Sequence, residues 1–415
     1  MSRTGLRRAV FTLLAGGALA QALPLLLGPW LTRLYTPENY GQYHLFAAVA
    51  ANIAVVACGR YEFALPMAAD EAEARALRHL CQRVLGLVVV ITLAVAVAWA
   101  VALGAVWPLW LPASVGALGQ LSLATLLATR AQQFKPLATA RVLQHGGGAL
   151  GQVGAGLVHG GVQGLIVGAL VAVMAAWAAL GGLAARSARL PAPIGNAPEG
   201  PLPPDWRAAA RRYRHYPLLN TPHAFLGALQ DTVAVALIAA QLGAAAAGVW
   251  GLALRYLKAP ATLVGSAVSQ ALHPRLAQAG CTPAGRALVL RTMLLLAAVA
   301  VPLVLLLWAV APPLFVWAFG PAWADAGTLG RALALYIGLH FVASPLGVVT
   351  LAWDAQAWAL KLALVGQGLF VAALATGLHW DGLRGAGWAV SLAMAVYFGW
   401  YFLKLATWPV AVQEG

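Results

Sequence analysis

Residues 247–272 read AGVWGLALRYLKAPATLVGSAVSQAL, an apolar stretch of the length that crosses a bilayer. Two cations, Arg255 and Lys258, lie about one helical turn apart inside it. A basic side chain at the centre of a bilayer costs about 3 kcal/mol on insertion scales, so such residues mark a lined cavity or a functional ion pair. The preceding apolar stretch carries a lone acid, Asp231. These residues predict a place where a membrane protein holds an anion.

Composition places the whole chain in a membrane. Of its 415 residues, 61% are hydrophobic and only 9% are charged, whereas roughly a quarter of the residues in soluble domains are charged. The net charge of +14 does not indicate a nucleic-acid partner, because the basic residues lie in short loops between apolar runs. Cys58, Cys81 and Cys281 follow no metal-site spacing, so no metal is expected.

Apolar runs long enough to span the hydrocarbon core recur about twelve times. We therefore expect an all-α polytopic membrane protein with six spans on each side of one long connection. The expected domains are residues 1–185 and 216–415, and the connection is a cytoplasmic, proline-rich and basic loop at 186–215. A weak repeat relates the halves, since Gly41-Gln42-Tyr43 parallels Gly248-Val249-Trp250 at an offset of 207 residues.

The distribution of Lys and Arg predicts the orientation, because short cytoplasmic loops are enriched in both. With the N-terminus inside, 21 of the 26 Lys and Arg residues fall on the inner side, and only Arg33, Arg331 and Arg384 fall outside. Both termini are therefore expected in the cytoplasm. An aromatic belt at the outer interface is expected from seven tryptophans: Trp30, Trp107, Trp110, Trp317, Trp323, Trp380 and Trp388.

The three deep charges are expected at similar depth. Asp231 lies thirteen residues before the turn near Ala244, and Arg255 and Lys258 lie eleven and fourteen after it. In an antiparallel helical hairpin this puts all three roughly 20 Å below the outer turn. Two alternatives stay open: an ion pair that only neutralises its own cost, or a cationic cavity wall whose charge Asp231 moderates or couples to protons.

Three further charges are candidates for the same chemistry. Arg60 and Glu62 lie at the inner end of the second span. They either form a local salt bridge, or Arg60 is a cation that lines the cytoplasmic mouth of the cavity. Arg33 lies at the outer end of the first span, where it either snorkels to the interface or lines the passage. Arg141 and His145 share a face of the fifth span beside three glycines, which predicts a bend or a close packing site.

Four motifs carry a resemblance to a known family: LTRLYTPENYG at 31–41, GRYE at 59–62, GSAVSQ at 265–270 and HPRLA at 273–277. The chain resembles the bacterial polysaccharide transporter family. That family includes the flippases for O-antigen and other lipid-linked oligosaccharides, within the wider group of multidrug, oligosaccharidyl-lipid and polysaccharide exporters. The resemblance implies two six-helix bundles around a central cavity. It also implies alternating access and a cargo carried on undecaprenyl diphosphate.

By the same resemblance, cavity cations bind the diphosphate or acidic sugars, and the candidates here are Arg255, Lys258, Arg60 and Arg33. The expected setting is the bacterial inner membrane, where the cargo would serve cell-surface polysaccharide, lipopolysaccharide or O-antigen synthesis. A polysaccharide polymerase is a candidate partner beside the membrane lipids. The chain lacks the two extra C-terminal spans of the lipid II flippase branch, so a peptidoglycan precursor is a less favoured cargo.

The alternative function is a drug or cation antiporter of the same fold group. It would need acids in the cavity, and Asp231 is the only deep carboxylate in the sequence. An enzyme of the same pathway, such as a membrane glycosyltransferase or polymerase, is disfavoured because the outer loops are short and Asp325 and Asp381 stand alone. No catalytic residue and no cofactor are expected, and coupling to H⁺ or Na⁺ stays open.

Overall fold

The computed structural model of the chain describes residues 16–187 and 206–409, which form helices and short connections without a strand. In chain order the helices are α1 (16–26), α2 (Gly28–Leu34), α3 (Pro37–Val56), α4 (Glu71–Leu103), α5 (Leu111–Arg130), α6 (Phe134–Val142), α7 (Gly148–Leu157), α8 (Gly161–Ser187), α9 (Trp206–Arg212), α10 (Thr221–Leu242), α11 (Ala244–Ala279), α12 (Pro283–Phe319), α13 (Ala324–Ala352) and α14 (Gln356–Ala406). The expected start of the first span and most of the 186–215 loop lie outside the described residues. The chain is an all-α polytopic membrane protein, as predicted.

Seven of the described helices are long and apolar enough to cross a membrane, or eight when α3 is counted with the bent turn that follows it. Helix α11 is not among them, because Arg255 and Lys258 lower its mean hydropathy. Helix α14 holds two predicted spans in one element, and non-helical backbone at Asp381 and Gly382 separates them. The fifth predicted span contains α6, the π-helical turn Leu143–Gly147 and α7, with helical backbone at both junctions, Val142 and Gly148.

The described helices fall into two compact units. The first contains the residues up to Tyr35 together with Tyr43–Thr232, and the second contains Thr36–Gln42 and the residues from Val233 onward. The boundaries fall inside α3 and α10, so each of these helices contributes to both units. The expected domain limits at residues 185 and 216 stay a prediction. In the structure, residues 216–232 group with the first unit.

Capping residues set several helix ends. The Asp70 carboxylate accepts a hydrogen bond from the Glu73 backbone N–H at 2.7 Å and starts α4. The Thr282 hydroxyl does the same for α12, accepting from the Gly285 N–H at 3.2 Å. Gly104 ends α4 in the left-handed region, with φ of 60°. These local signals fix where the long apolar helices begin and end.

Burial distinguishes core helices from lipid-facing ones. Within an apolar stretch of 18 residues, 67% of the residues are buried in the span Pro321–Ala352, which contains α13. The corresponding share is 11% in α12 and 17% in α4. Helix α13 is therefore the core of the second unit, while α4 and α12 present apolar side chains outward, as lipid requires. The predicted aromatic belt needs a correction. Trp107 packs on Trp99 at 4.9 Å between ring centroids and Trp323 is fully buried, so these two are core residues.

Candidate functional site

The second unit places Lys258 and Arg255 on one face of α11. Both side chains are half-buried, although they lie in the middle of a 36-residue helix. The Lys258 ammonium lies 5.6 Å from the ring centroid of Tyr336, a buried residue of α13. A ring face attracts a cation, and the contact is worth about 0.5–2 kcal/mol depending on desolvation. Lys258 is therefore held toward the core helix of its unit.

A proline follows this pair within the same helix. Pro260 lies inside α11, where it cannot donate the backbone hydrogen bond that a helix interior requires. Such a break in the helical hydrogen-bond pattern is tolerated at membrane depth where neighbouring groups or a wet cavity satisfy the backbone. The two cations thus lie next to a weakened segment of α11.

A mostly apolar cavity with a few polar groups opens beside the same core helix. It has a volume of about 250 Å³, and its walls include His340, Ser344 and Thr350 of α13 and Tyr397 and Tyr401 of α14. The centroid of the His340 ring lies 5.9 Å from that of the Tyr336 ring, the same ring that the Lys258 ammonium contacts. In the second unit, contacts between neighbouring side chains therefore connect Lys258 to Tyr336, and Tyr336 to His340 in the wall of the cavity.

The first unit brings Arg60 and Glu62 together at the break after α3. Gly59 and Arg60 both have φ of 61°, and the chain bends by 51° between α3 and the 3₁₀ turn Tyr61–Met67. Arg60 is half-buried and its guanidinium lies 4.1 Å over the Phe63 ring. Glu62 is only 2% exposed. The ion pairs among the described residues join Arg130 with Glu71 and Arg212 with Glu73, so the local salt bridge, one of the two alternatives for Arg60 and Glu62, is not formed.

Arg33 and Asp231 are both exposed, and both belong to the first unit. Arg33 lies in the last turn of α2, where its charge complements the negative end of the helix dipole. Asp231 lies on α10, whereas Arg255 and Lys258 belong to the second unit. The equal depth expected for the three charges, and the shared cavity expected for all four cations, stay predictions.

Sequence reasoning undervalued one polar site in the first unit. Arg141, Gln144 and His145 line a cavity of about 260 Å³, together with Gln21 and Thr125. Gln144 and His145 belong to the π-helical turn Leu143–Gly147, and such turns recur at functional sites because they re-aim side chains. The run Gly146-Gly147-Gly148 was the available signal. A Cβ atom on Gly146 would lie 2.5 Å from the Leu23 side chain, so the close packing is present, while the bend stays a prediction.

One protein family matches the chain over most of its length. The family described as "Polysaccharide biosynthesis protein" matches residues 30–327. No curated protein matches the chain.

Solved membrane transporters share the fold. One is the lipid II flippase MurJ in an inward closed conformation, with a TM-score of 0.66 at 10% identity over 94% of this chain and 89% of that one. Another is a mutant of the Vibrio cholerae MATE transporter VcmN, with a TM-score of 0.55 at 14% identity over 96% and 95%. A third is a MOP superfamily transporter from Pyrococcus furiosus, described by the reverse polarity of its binding pocket, with a TM-score of 0.54 at 14% identity over 96% and 95%. The family match runs from α2 into α13, and the chain therefore belongs to the polysaccharide biosynthesis protein family.

Proposed function

We propose that the chain is a flippase that moves an undecaprenyl-diphosphate-linked oligosaccharide across the bacterial inner membrane by alternating access. The observation that carries the proposal is the half-buried pair Arg255 and Lys258 in the middle of α11. A cargo with two phosphates needs fixed positive charge on a path through hydrocarbon, while its prenyl tail stays in lipid. Membership of a polysaccharide biosynthesis family and a fold shared with a lipid II flippase support this cargo class.

The charge distribution of the second unit favours the flippase over the drug or cation antiporter. Four acids are described in this unit, and each lies at a helix end or a helix break: Glu38, Asp325, Asp354 and Asp381. Its two mid-helix charges on α11, Arg255 and Lys258, are both positive. A site for cationic drugs would need the opposite sign.

The proposal has four further parts. The cargo serves the synthesis of surface polysaccharide or O-antigen, and both termini of the chain lie in the cytoplasm. The chain works with a polysaccharide polymerase, and transport is coupled to H⁺ or Na⁺.

The decisive experiment removes both cations. We expect the double variant R255A/K258A to abolish export of the surface glycan, because the diphosphate loses its counter-charge, while the amount of protein in the membrane stays normal. Surface glycan is measured on intact cells, and lipid-linked intermediate is measured in membrane extracts, where it should accumulate.

The matched control is R275A/K361A, which removes the same charge from exposed positions of the same unit. It should export like the unmodified protein. Export at the unmodified level in R255A/K258A would remove this pair from the mechanism and take away the physical support for an anionic cargo. Resistance to cationic drugs that depends on the chain, with unchanged glycan, would favour the antiporter.

A further inference from the structure

Three buried side chains converge at the break between α3 and α4. Cys58 is 1% exposed, Glu62 is 2% exposed and Cys81 is fully buried. Their two Sγ atoms and one carboxylate oxygen all lie within 4.8 Å of one another. They come from the turn just after α3, the 3₁₀ turn Tyr61–Met67 and the first half of α4. The cluster belongs entirely to the first unit.

The left-handed backbone at Gly59 and Arg60 creates this convergence. With φ of 61° at both residues, the chain bends by 51° between α3 and the 3₁₀ turn, and Glu62 lies near Cys58 just after α3. Left-handed backbone is uncommon for a residue with a side chain, and it persists where surrounding structure holds it in place. Cys81 then faces the turn from α4. No linear spacing of the three residues could reveal the cluster, because the turn sets their geometry.

Glu62 is the strongest indication that the cluster takes a ligand. Its Oε2 atom is buried and has no hydrogen-bond partner among the described residues. Burying an ionised carboxylate without a partner is costly, so buried carboxylates are paired, bind metals or become protonated. Arg60 is the adjacent cation, but its guanidinium stacks on Phe63, and its buried Nε also has no hydrogen-bond partner in the described part of the chain. The carboxylate thus has one unused oxygen beside two thiols.

We infer that Cys58, Cys81 and Glu62 bind a zinc ion. Zinc is borderline-soft and accepts both thiolate sulfur and carboxylate oxygen, usually in a tetrahedral arrangement. An all-sulfur set would suit Cu(I), and an all-oxygen set would suit Ca²⁺ or Mg²⁺. Binding releases the two thiol protons. The resulting two thiolates, one carboxylate, Zn²⁺ and the nearby Arg60 guanidinium sum to zero charge, which suits apolar surroundings.

The inferred role of the zinc ion is structural. All three ligand side chains are closed off from solvent, so a substrate could not reach the fourth tetrahedral position, which a trapped water molecule would fill. A metal here would join the end of α3 to α4 across the strained Gly59–Arg60 turn. It would thereby fix the position of the polar segment GRYE at 59–62. This inference does not depend on the cargo.

The test uses the full-length protein, purified under reducing conditions and stripped with a chelator. Zn²⁺ is titrated against a chromophoric chelator, and Co²⁺ is used separately to reveal thiolate ligation by its charge-transfer absorption. We expect one equivalent of zinc per chain. Each of C58S, C81S and E62Q should weaken binding by more than about tenfold, since even outer-shell partners act on that scale. The matched control is C281S, because Cys281 lies outside the cluster and should leave binding unchanged.

Two readouts guard against variants that merely unfold. Zinc should raise the melting temperature of the unmodified protein and of C281S, and it should not raise that of E62Q, which keeps the size of the side chain. Equal zinc affinity in C58S/C81S and the unmodified protein would overturn the inference. So would the absence of thiolate-to-cobalt absorption in the reduced, folded protein, or a Cys58–Cys81 disulfide whose reduction yields no zinc binding.

Discussion

At the scale of single residues, Glu73 connects three segments at the start of α4. It is only 7% exposed, and its carboxylate accepts hydrogen bonds from the Ala69 N–H at 2.8 Å and the Tyr213 hydroxyl at 3.1 Å. It also forms an ion pair with Arg212 at 3.0 Å. Burial and the hydrogen bond to Glu73 raise the pKa of Tyr213, so this hydroxyl remains a donor at physiological pH. Glu73 therefore docks α9 and the residue after it onto α4.

Replacing this carboxylate tests the docking. In E73Q the side chain keeps one acceptor oxygen and loses its charge, so it cannot accept both from Ala69 and from Tyr213 and Arg212, and we expect a loss of about 1–3 kcal/mol in stability. The matched control is E71Q, since Glu71 lies two residues earlier on the same helix and its side chain is 82% exposed in its pair with Arg130. An exposed pair contributes about 0–1 kcal/mol. Thermal unfolding in detergent should separate the two variants, and equal melting temperatures would show that Glu73 holds nothing in place.

At the scale of elements, the start of α3 and the start of α11 cross in direct backbone contact within the second unit. A Cβ atom on Gly41 would overlap the Ala244 carbonyl oxygen and lie 2.9 Å from the Gly248 nitrogen. A Cβ atom on Gly248 would overlap the Pro37 carbonyl oxygen and lie 2.9 Å from the Gly41 nitrogen. The two glycines are the same pair that the weak sequence repeat aligns. Their equivalence has a physical basis, because each provides the gap into which the other helix fits.

This crossing predicts the effect of adding one methyl group. We expect G41A and G248A each to destabilise the protein by more than about 1–3 kcal/mol, the usual range for overpacking, because backbone atoms rather than flexible side chains block the space. The matched control is G368A in α14, where a Cβ atom meets nothing within 4 Å. That variant should gain about 0.5–1 kcal/mol from lower backbone entropy in the unfolded chain. Melting temperatures measure all three, and tolerance of G41A and G248A would contradict the packing.

The sequence predicted the elements better than their surroundings. Apolar length alone located the helices, and the charge of Arg255 and Lys258 singled out α11. Burial was harder to predict, because a lipid-facing residue and a core residue are both apolar. Trp107 and Trp323 were therefore assigned to the interface although they pack inside their units. The Cys58 cluster was invisible for a different reason, since it depends on a left-handed turn at Gly59 and Arg60.

At the scale of the whole molecule, the asymmetry of basic residues predicts how the chain lies in the membrane. Of the 26 Lys and Arg residues, 21 lie in segments assigned to the inner side. Lys and Arg residues hinder the transfer of a short loop across the membrane, so the excess of these residues on one side sets the orientation of the chain. Cys281, in the turn between α11 and α12, is then cytoplasmic. Thr36, exposed in the turn between α2 and α3, is then on the outer side.

Cysteine labelling tests this orientation with the native residues of the chain. Cys58 and Cys81 are buried and should not react, whereas Cys281 is partly exposed and should. A membrane-impermeant maleimide should label the unmodified protein in inverted vesicles and leave it unlabelled in intact cells, and C281S should abolish the signal. The double variant C281S/T36C should show the reverse pattern. Labelling of Cys281 from outside would invert the topology. It would then place the basic loops on the outer face, so the diphosphate would meet the cations from the opposite side.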